Sequence, residues 1–352
     1  MRITVATDAW YPQINGVVRT LGETTKFLKE LGHEAQIITP DRFTTYPCPT
    51  YPSIKLAAFP KHGVQRLLNE FRPQAIHIAT EGPIGHATSA WCNRLALPFT
   101  TSYHTQFPEY VRARVPLPIS WSYAYLRRYH SRAIRTMVAT QSMRARLEER
   151  GFKNLVIWAR GVDATLFHPG PKSFLSAPRP ISIYMGRVAV EKNIEAFLKL
   201  DIPGSKYVVG DGPALEQFRS RYPDVMFVGQ KSGQELTAYL GAADVFVFPS
   251  LTDTFGLVLL EAMACGLPVA AFPVTGPIDV VQQGKTGILH NDLRQAVLGA
   301  LKLDPADCAA YAKQHSWLNW TERFVSLLEP FDGSRRKATY SPPVSTKLIS
   351  NA

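Results

Sequence analysis

Residues 245–272 read VFVFPSLTDTFGLVLLEAMACGLPVAAF. VFVFP (245–249) reads as a short buried strand. A loop carrying Asp253 and Gly256 follows it, and LVLLEAMA (257–264) then reads as a helix. PVAAF (268–272) is a second buried strand. Strand, helix, strand is the crossover unit of a parallel sheet, because parallel neighbours cannot be joined by a tight turn.

The same alternation extends outward in both directions. ISIYMG (181–186), KYVVG (206–210) and VMFVG (225–229) precede this unit. An earlier series comprises ITVAT (3–7), AQIIT (35–39), AIHIA (75–79), FTTSYH (99–104) and MVATQ (137–141). Helices are expected over 21–31, where Leu21, Phe27, Leu28 and Leu31 are apolar and Gly32 supplies a stop, and over 120–135. Between the two series lie WARGVDATLFHPGP (158–171) and a Ser/Pro-rich stretch to Pro180, which read as a linker with a hinge near 160–178. The fold class is therefore α/β, with two Rossmann-like doubly wound domains facing across a cleft. The expected boundaries are 1–165 and 166–331, with the last helix packing back on the first domain. Residues 332–352 form a basic tail without apolar periodicity and are expected to be disordered.

At 352 residues and 45% apolar content the chain can bury two cores. Cys48, Cys92, Cys265 and Cys308 are far apart and form no CxxC, so neither a disulfide framework nor a zinc site is expected. The N-terminus reads as a first strand rather than a leader, and no apolar run is long enough to span a bilayer. A cytoplasmic protein is the expectation. The net charge of +11 is unevenly spread. Residues 1–160 hold 21 Lys and Arg against 10 Asp and Glu, whereas residues 161–331 hold 14 against 17. A basic first half suits an anionic membrane surface, nucleic acid or phosphorylated ligands, or it is a solubilising surface. No RNA-recognition or helix-turn-helix signature accompanies the charge, so nucleic acid is not expected.

In open α/β sheets ligands bind beyond the C-terminal strand ends, beside helix N-termini. Five loops with notable residues fall there. In the first, Asp8 to Val17, Gly16 lets backbone N–H groups approach an anion or simply makes a tight turn. It is not the GxGxxG of a dinucleotide fold. In the second, His104 could bond a sugar hydroxyl or a phosphate, or be a structural group. In the third, GRVAVEKN, Arg187 and Lys192 place two cations near a helix start, where they could neutralise a leaving diphosphate. The fourth, Gly210-Asp211-Gly212-Pro213, reads as structural. In the fifth, Asp253 could accept from sugar hydroxyls, the N–H groups around Phe255, Gly256 and Leu257 could hold phosphate, and Glu261 could reach a ribose. A charged Glu261 inside LVLLEAMA is costly unless paired or functional.

Together PSLTDTFGLVLLEAMACGLPV, GRVAVEKN, the Asn-Gly loop after the first strand, SYHTQFPEY and RGVDATLFHP resemble the family 4 retaining glycosyltransferases of GT-B fold, over residues 1 to about 330. SYHTQFPEY with TDTFG is similar to the bacterial and plastid branch acting on diacylglycerol lipids, which includes sulfoquinovosyl- and glucosyl-diacylglycerol synthases and relatives that mannosylate glycolipids. The resemblance implies an acceptor-side first domain and a second domain that binds a nucleotide sugar, with a UDP-sugar favoured. It assigns donor contacts to Gly16, Arg187, Lys192, Phe255, Gly256, Leu257 and Glu261, and places His104, Arg187, Lys192 and Asp253 at the reaction centre. The family signature has Glu where this chain has Asp253, which bears on the sugar pose.

The resemblance implies front-face attack with the leaving phosphate taking the acceptor proton, so that no side-chain nucleophile is required. No DxD occurs, and Arg187 and Lys192 are expected to stand in place of a metal; no cofactor is expected. On the acceptor side, YVRARVPLPISWSYAYLRRYHSRAIR (110–135) interleaves arginines with aromatics. Tyr11, Arg127, Arg128 and Arg132 are expected to face a lipid acceptor and the inner, anionic surface of a membrane. An ordinary surface helix is the alternative. Competing functions are transfer to a soluble or polysaccharide acceptor, a sugar-nucleotide epimerase of the same architecture, and a non-catalytic binding module.

Overall fold

Each strand series forms its own sheet. In the computed structural model, which describes residues 1–331 apart from 14, 49–50, 105–106, 113–117 and 254, the first half contains β1 (Arg2–Ala6), β2 (Glu34–Ile38), β3 (Thr45–Cys48), β4 (Tyr51–Ala57), β5 (Ala75–Ile78), β6 (Thr100–Tyr103), β7 (Arg135–Val138) and β8 (Leu155–Ile157). Six of these form a parallel sheet in the order β2-β1-β5-β6-β7-β8, while β3 and β4 make a separate antiparallel hairpin. The second half contains β9 (Ile181–Met185), β10 (Ser205–Val209), β11 (Met226–Gly229), β12 (Val245–Phe248), β13 (Val269–Ala271) and β14 (Gly287–Leu289). They form a second parallel sheet in the order β11-β10-β9-β12-β13-β14.

Both orders reverse beside their first strand, between β1 and β5 and between β9 and β12. Loops diverge at such reversals and leave a crevice outside the strand ends. The central strands β5, β6, β9 and β12 are buried throughout, as sheets covered on both faces require.

The helix Trp317–Leu327 packs on the first half: Phe324 and Leu327 share a core with Ile3, Val5, Leu21 and Trp158. The chain thus crosses between the halves twice, and the crossings touch. Val162 bridges Ser316, and a Cβ on Gly161 would lie 2.4 Å from the Trp317 nitrogen, so only glycine fits there. The segment that reads as a linker is packed accordingly, with Trp158, Val162 and Phe167 buried.

Several boundaries differ from the sequence reading. The first helix is Gly16–Glu30, starting earlier than 21 because the Asn15 side chain caps it, accepting from Val17 and Val18 N–H at 3.0 Å. The helix expected over 120–135 is Ile119–His130, and residues 135–138 are β7. That strand starts two residues before the expected MVATQ and ends within it, at Val138, because Thr140 caps the helix Gln141–Glu149. The tail at 332–352 and Pro116 lie outside the described residues.

At the β1/β5 reversal, Asp8 is buried and caps the helix Pro83–Arg94. It accepts from Ile84 N–H at 2.9 Å, Gly85 N–H at 3.3 Å and the Thr80 hydroxyl at 2.9 Å. Burial outweighs these bonds and pushes its carboxyl up to about 6, with the Glu81 charge adding to the rise. A carboxyl that binds its proton more tightly folded than unfolded stabilises the fold as pH falls through that range. Wild type should therefore gain about 2 kcal/mol over Asp8→Asn between about pH 7 and pH 4.5. Urea unfolding of both proteins across that range checks this; a pH-independent difference would refute it.

Candidate active site

At the β9/β12 reversal the two loops meet through polar contacts. The loop after β9 ends in a single 3-10 turn, Val190–Lys192, and Asn193 takes a left-handed conformation that points the chain into the helix Ile194–Leu198. Asn193 Nδ2 donates to the Pro249 carbonyl at 3.0 Å, which ties this loop to the one after β12. Lys192 Nζ donates to Asp253 Oδ1 at 2.6 Å. The other oxygen, Asp253 Oδ2, is buried and has no hydrogen-bond partner among the described residues, and the same holds for Ser250 Oγ. Arg187 is more exposed and lies 3.8 Å from Glu191. Its carbonyl accepts from the buried Tyr184 hydroxyl at 2.9 Å. Burial, with the charges of Asp253 and Glu191, raises the Tyr184 phenol far above its ordinary range and keeps it a neutral donor.

The helix Leu257–Ala264 begins at Gly256, whose φ of 79° is left-handed and suits glycine. Among the described residues no side chain caps this helix start, which leaves its N–H groups to bond elsewhere. Phe255 is buried beside it. Glu261, one turn in, is 3% exposed. Its Oε1 is ion-paired with Arg19 of the Gly16–Glu30 helix, so the pair spans the two domains. Its Oε2 has no partner among the described residues. Burial raises the Glu261 carboxyl above its ordinary value, and Arg19 opposes the rise. A methyl on Gly16 would lie 3.7 Å from Leu257 Cδ1, so the first loop and the fifth face each other directly. A second tie crosses nearby in sequence: Asp279 accepts from the Ser142 backbone N–H at 2.9 Å and from its hydroxyl.

His104 follows β6. Its Nδ1 lies 2.9 Å from Nη2 of Arg160, and its ring stands edge-on to Trp158 at 5.9 Å. Burial and then the Arg160 charge, with His77 and His130 adding, hold the imidazole well below its usual protonation range.

In the first domain, the helix Ile119–His130 buries Tyr123, Leu126, Tyr129 and His130. Its outer side exposes Trp121 (69%) and Tyr125 together with Arg127 and Arg128, and Arg132 follows in the exposed turn beyond the helix end. Arg127 donates to the Arg150 carbonyl at 2.9 Å. Tyr11 is exposed, edge-on to Trp10 at 5.3 Å, with its hydroxyl beside Gly22. Val115 and Leu117, read with this surface, lie outside the described residues.

The structure thus groups Gly16, Lys192, Asp253, Phe255, Gly256, Leu257 and Glu261 around the facing loops. Sequence reasoning missed Arg19 and Arg160. Arg19 carries no local signal, because its partner is 242 positions away. Arg160 carried one: a charge between Trp158 and Val162, in a stretch otherwise read as linker.

Comparison with known proteins agrees with this geometry. Residues 14–166 match the family model described as Glycosyltransferase Family 4, and residues 179–303 match Glycosyl transferases group 1. The chain is 28% identical over 318 residues to a GDP-mannose-dependent alpha-mannosyltransferase of Corynebacterium glutamicum, covering 82% of this chain and 76% of the relative. It is 25% identical over 352 residues to an alpha-monoglucosyldiacylglycerol synthase of Streptococcus pneumoniae, covering 87% and 79%. Among solved structures, the sucrose-phosphate synthase of Thermosynechococcus elongatus superposes with a TM-score of 0.73 at 20% identity, covering 93% of this chain and 98% of that one. Two facing parallel-sheet domains, matched in turn by these two models, make the chain a hexosyltransferase that belongs to the family 4 glycosyltransferases of GT-B fold.

Proposed function

We propose that the enzyme moves a hexosyl or uronosyl group from a nucleoside-diphosphate sugar to the hydroxyl of a membrane glycerolipid such as diacylglycerol, with retention at the anomeric carbon. The observation that carries the donor side is the pair of half-satisfied carboxylates at the β9/β12 reversal. Asp253 and Glu261 each hold one cation and keep one buried oxygen without a partner among the described residues. Hydroxyls of a sugar and of a ribose are the donors such oxygens accept. Arg187, Lys192 and the N–H groups after Gly256, which no described side chain caps, supply positive potential for the diphosphate between them, in place of a metal ion. In the transfer, the bond from the anomeric carbon to the diphosphate oxygen breaks and a bond from the acceptor oxygen forms on the same face. The acceptor proton passes to the leaving phosphate oxygen, so charge develops where Arg187 and Lys192 lie. His104 stands on the acceptor side of this centre.

The acceptor reading rests on the outer face of Ile119–His130, where exposed Trp121 and Tyr125 accompany Arg127 and Arg128 in the more basic half of the chain. Aromatics beside arginines suit the interface of an anionic bilayer. The Streptococcus pneumoniae relative, an alpha-monoglucosyldiacylglycerol synthase, agrees with that acceptor. The Corynebacterium glutamicum relative uses GDP-mannose, so GDP-mannose stands beside UDP-hexoses as a donor to test.

Three outcomes are expected. Arg187→Ala with Lys192→Ala should reduce transfer on the order of 1,000-fold or more while the circular dichroism spectrum stays native; normal turnover would remove the diphosphate assignment. Replacing Arg127, Arg128 and Arg132 by Ser should weaken partitioning onto phosphatidylserine vesicles by about 1 kcal/mol per arginine, on the order of 100-fold in all. Unchanged flotation would detach that helix from the membrane. Arg19→Met, which leaves Glu261 buried without its cation, should lower the stability of the unliganded enzyme by about 1–2 kcal/mol, given the partial exposure of Arg19. An unaltered melting temperature would show that the bridge contributes nothing.

A further inference from the structure

Arg160 lies on the first crossing between the domains and is 5% exposed. Among the described residues no carboxylate is within ion-pairing distance of it. Its guanidinium donates through Nη1 to the carbonyls of Trp158 at 2.6 Å and Ala159 at 3.2 Å, and it lies 4.7 Å from the centre of the Trp158 ring. The one side-chain atom it bonds in these contacts is His104 Nδ1, at 2.9 Å. Burial brings its pKa down to about 9, so it is charged at neutral pH. A buried cation with no carboxylate is expensive, and an apolar residue would pack the crossing at lower cost. The expense calls for a role that an uncharged residue cannot fill.

We propose that Arg160 is a positioning residue of the transfer reaction, which fixes His104 as the neutral tautomer carrying its proton on Nε2. A guanidinium has five donors and no acceptor, so the Nδ1 it bonds must present a lone pair. The single proton of the neutral ring then sits on Nε2. Two carbonyls and the Trp158 ring hold the guanidinium in this orientation, and Trp158 itself stands edge-on to His104. His104 is thereby an invariant donor rather than a base, able to donate to a sugar or phosphate oxygen. The charged and titratable groups facing the ring are Arg160 from the crossing, His77 from β5 and His130 from the Ile119–His130 helix. His77 is itself pushed down to about 3 by burial and by Arg160, so it stays neutral, and His130 bonds Glu81 at 3.1 Å. Removing the Arg160 charge leaves burial in place but takes away the largest electrostatic cause, so protonation of Nδ1 moves to higher pH than in wild type. The catalytic part of this inference rests on the placement of His104 in the proposed function; the tautomer does not.

The test is nitrogen-15 NMR of ring-labelled histidines in the full chain, with His104→Asn supplying the assignment, alongside steady-state kinetics with the best donor. In wild type, His104 should carry its proton on Nε2 and show no titration between about pH 8 and pH 6. Arg160→Gln keeps an N–H donor and loses the charge. The tautomer should persist, while protonation of the ring and the accompanying fall in kcat move to higher pH than in wild type, with little change in KM. Arg160→Met loses both, and kcat should drop roughly 100-fold at neutral pH as the ring is misplaced. A wild-type proton on Nδ1, or a His104 signal and titration unaltered in Arg160→Gln, would overturn the proposal. A tautomer that shifts in Arg160→Met with kcat unaltered would overturn instead the placement of His104 at the reaction centre.

Discussion

Parallel strand pairing is the constraint from which the rest of this molecule follows. A parallel strand must be re-entered from the same end, so every strand is followed by a crossover and all functional loops collect at one edge of each sheet. Because both sheets reverse order beside their first strand, one pair of loops in each domain diverges there. The two reversals are furnished alike: in each, an acidic side chain in one loop is bonded by the other. In the first domain Asp8 is held by Thr80 and by the start of the Pro83–Arg94 helix. In the second, Asp253 is held by Lys192. The first carboxylate is fully bonded and serves the fold, whereas the second keeps an oxygen without a hydrogen-bond partner among the described residues.

The cleft is closed by charge as much as by packing. Glu261 is costly in the apolar helix Leu257–Ala264, and Arg19 reaches across from the other domain to offset that cost. An ion pair of this kind resists separation of the domains without filling the site with apolar atoms, and the other Glu261 oxygen, without a partner among the described residues, can still accept. The packed double crossing at Gly161 and Trp317 sets the distance over which such pairs can form. Arg160, next along the same crossing, carries charge to His104 in the first domain. The connection between the domains therefore contributes to the site as well as joining its halves.

Much of this architecture was legible in the sequence, and the exceptions have physical causes. The apolar strand runs and the loops after them are local patterns, so β1, β6, β9 and β12 and the residues Gly16, His104, Lys192, Asp253 and Glu261 could be located directly. Strands β8 and β14 have three residues each and offer too little periodicity to read. The start of the first helix was placed five residues late because the run of apolar positions begins after the Asn15 cap. Arg19 and Arg160 owe their importance to partners 242 and 56 positions away, which no local pattern encodes. The packing of the linker stretch was hidden for the same reason: its Gly, Pro and Asp content describes a turn-rich path, and only contacts distant in sequence bury it, Trp158 with Phe324 and Leu327, and Val162 and Phe167 with the second-domain core.

The most direct test of the account is a product assay on the purified enzyme. UDP-glucose, UDP-galactose, UDP-glucuronate and GDP-mannose would each be offered with diacylglycerol in anionic micelles, and the lipids read by mass spectrometry. A glycosyl-diacylglycerol from one of these donors is expected, with the anomeric configuration of the donor retained as read by proton NMR of the product. Donor consumption without any glycolipid would contradict the lipid acceptor, and failure of every donor to turn over would contradict transfer from these nucleotide sugars.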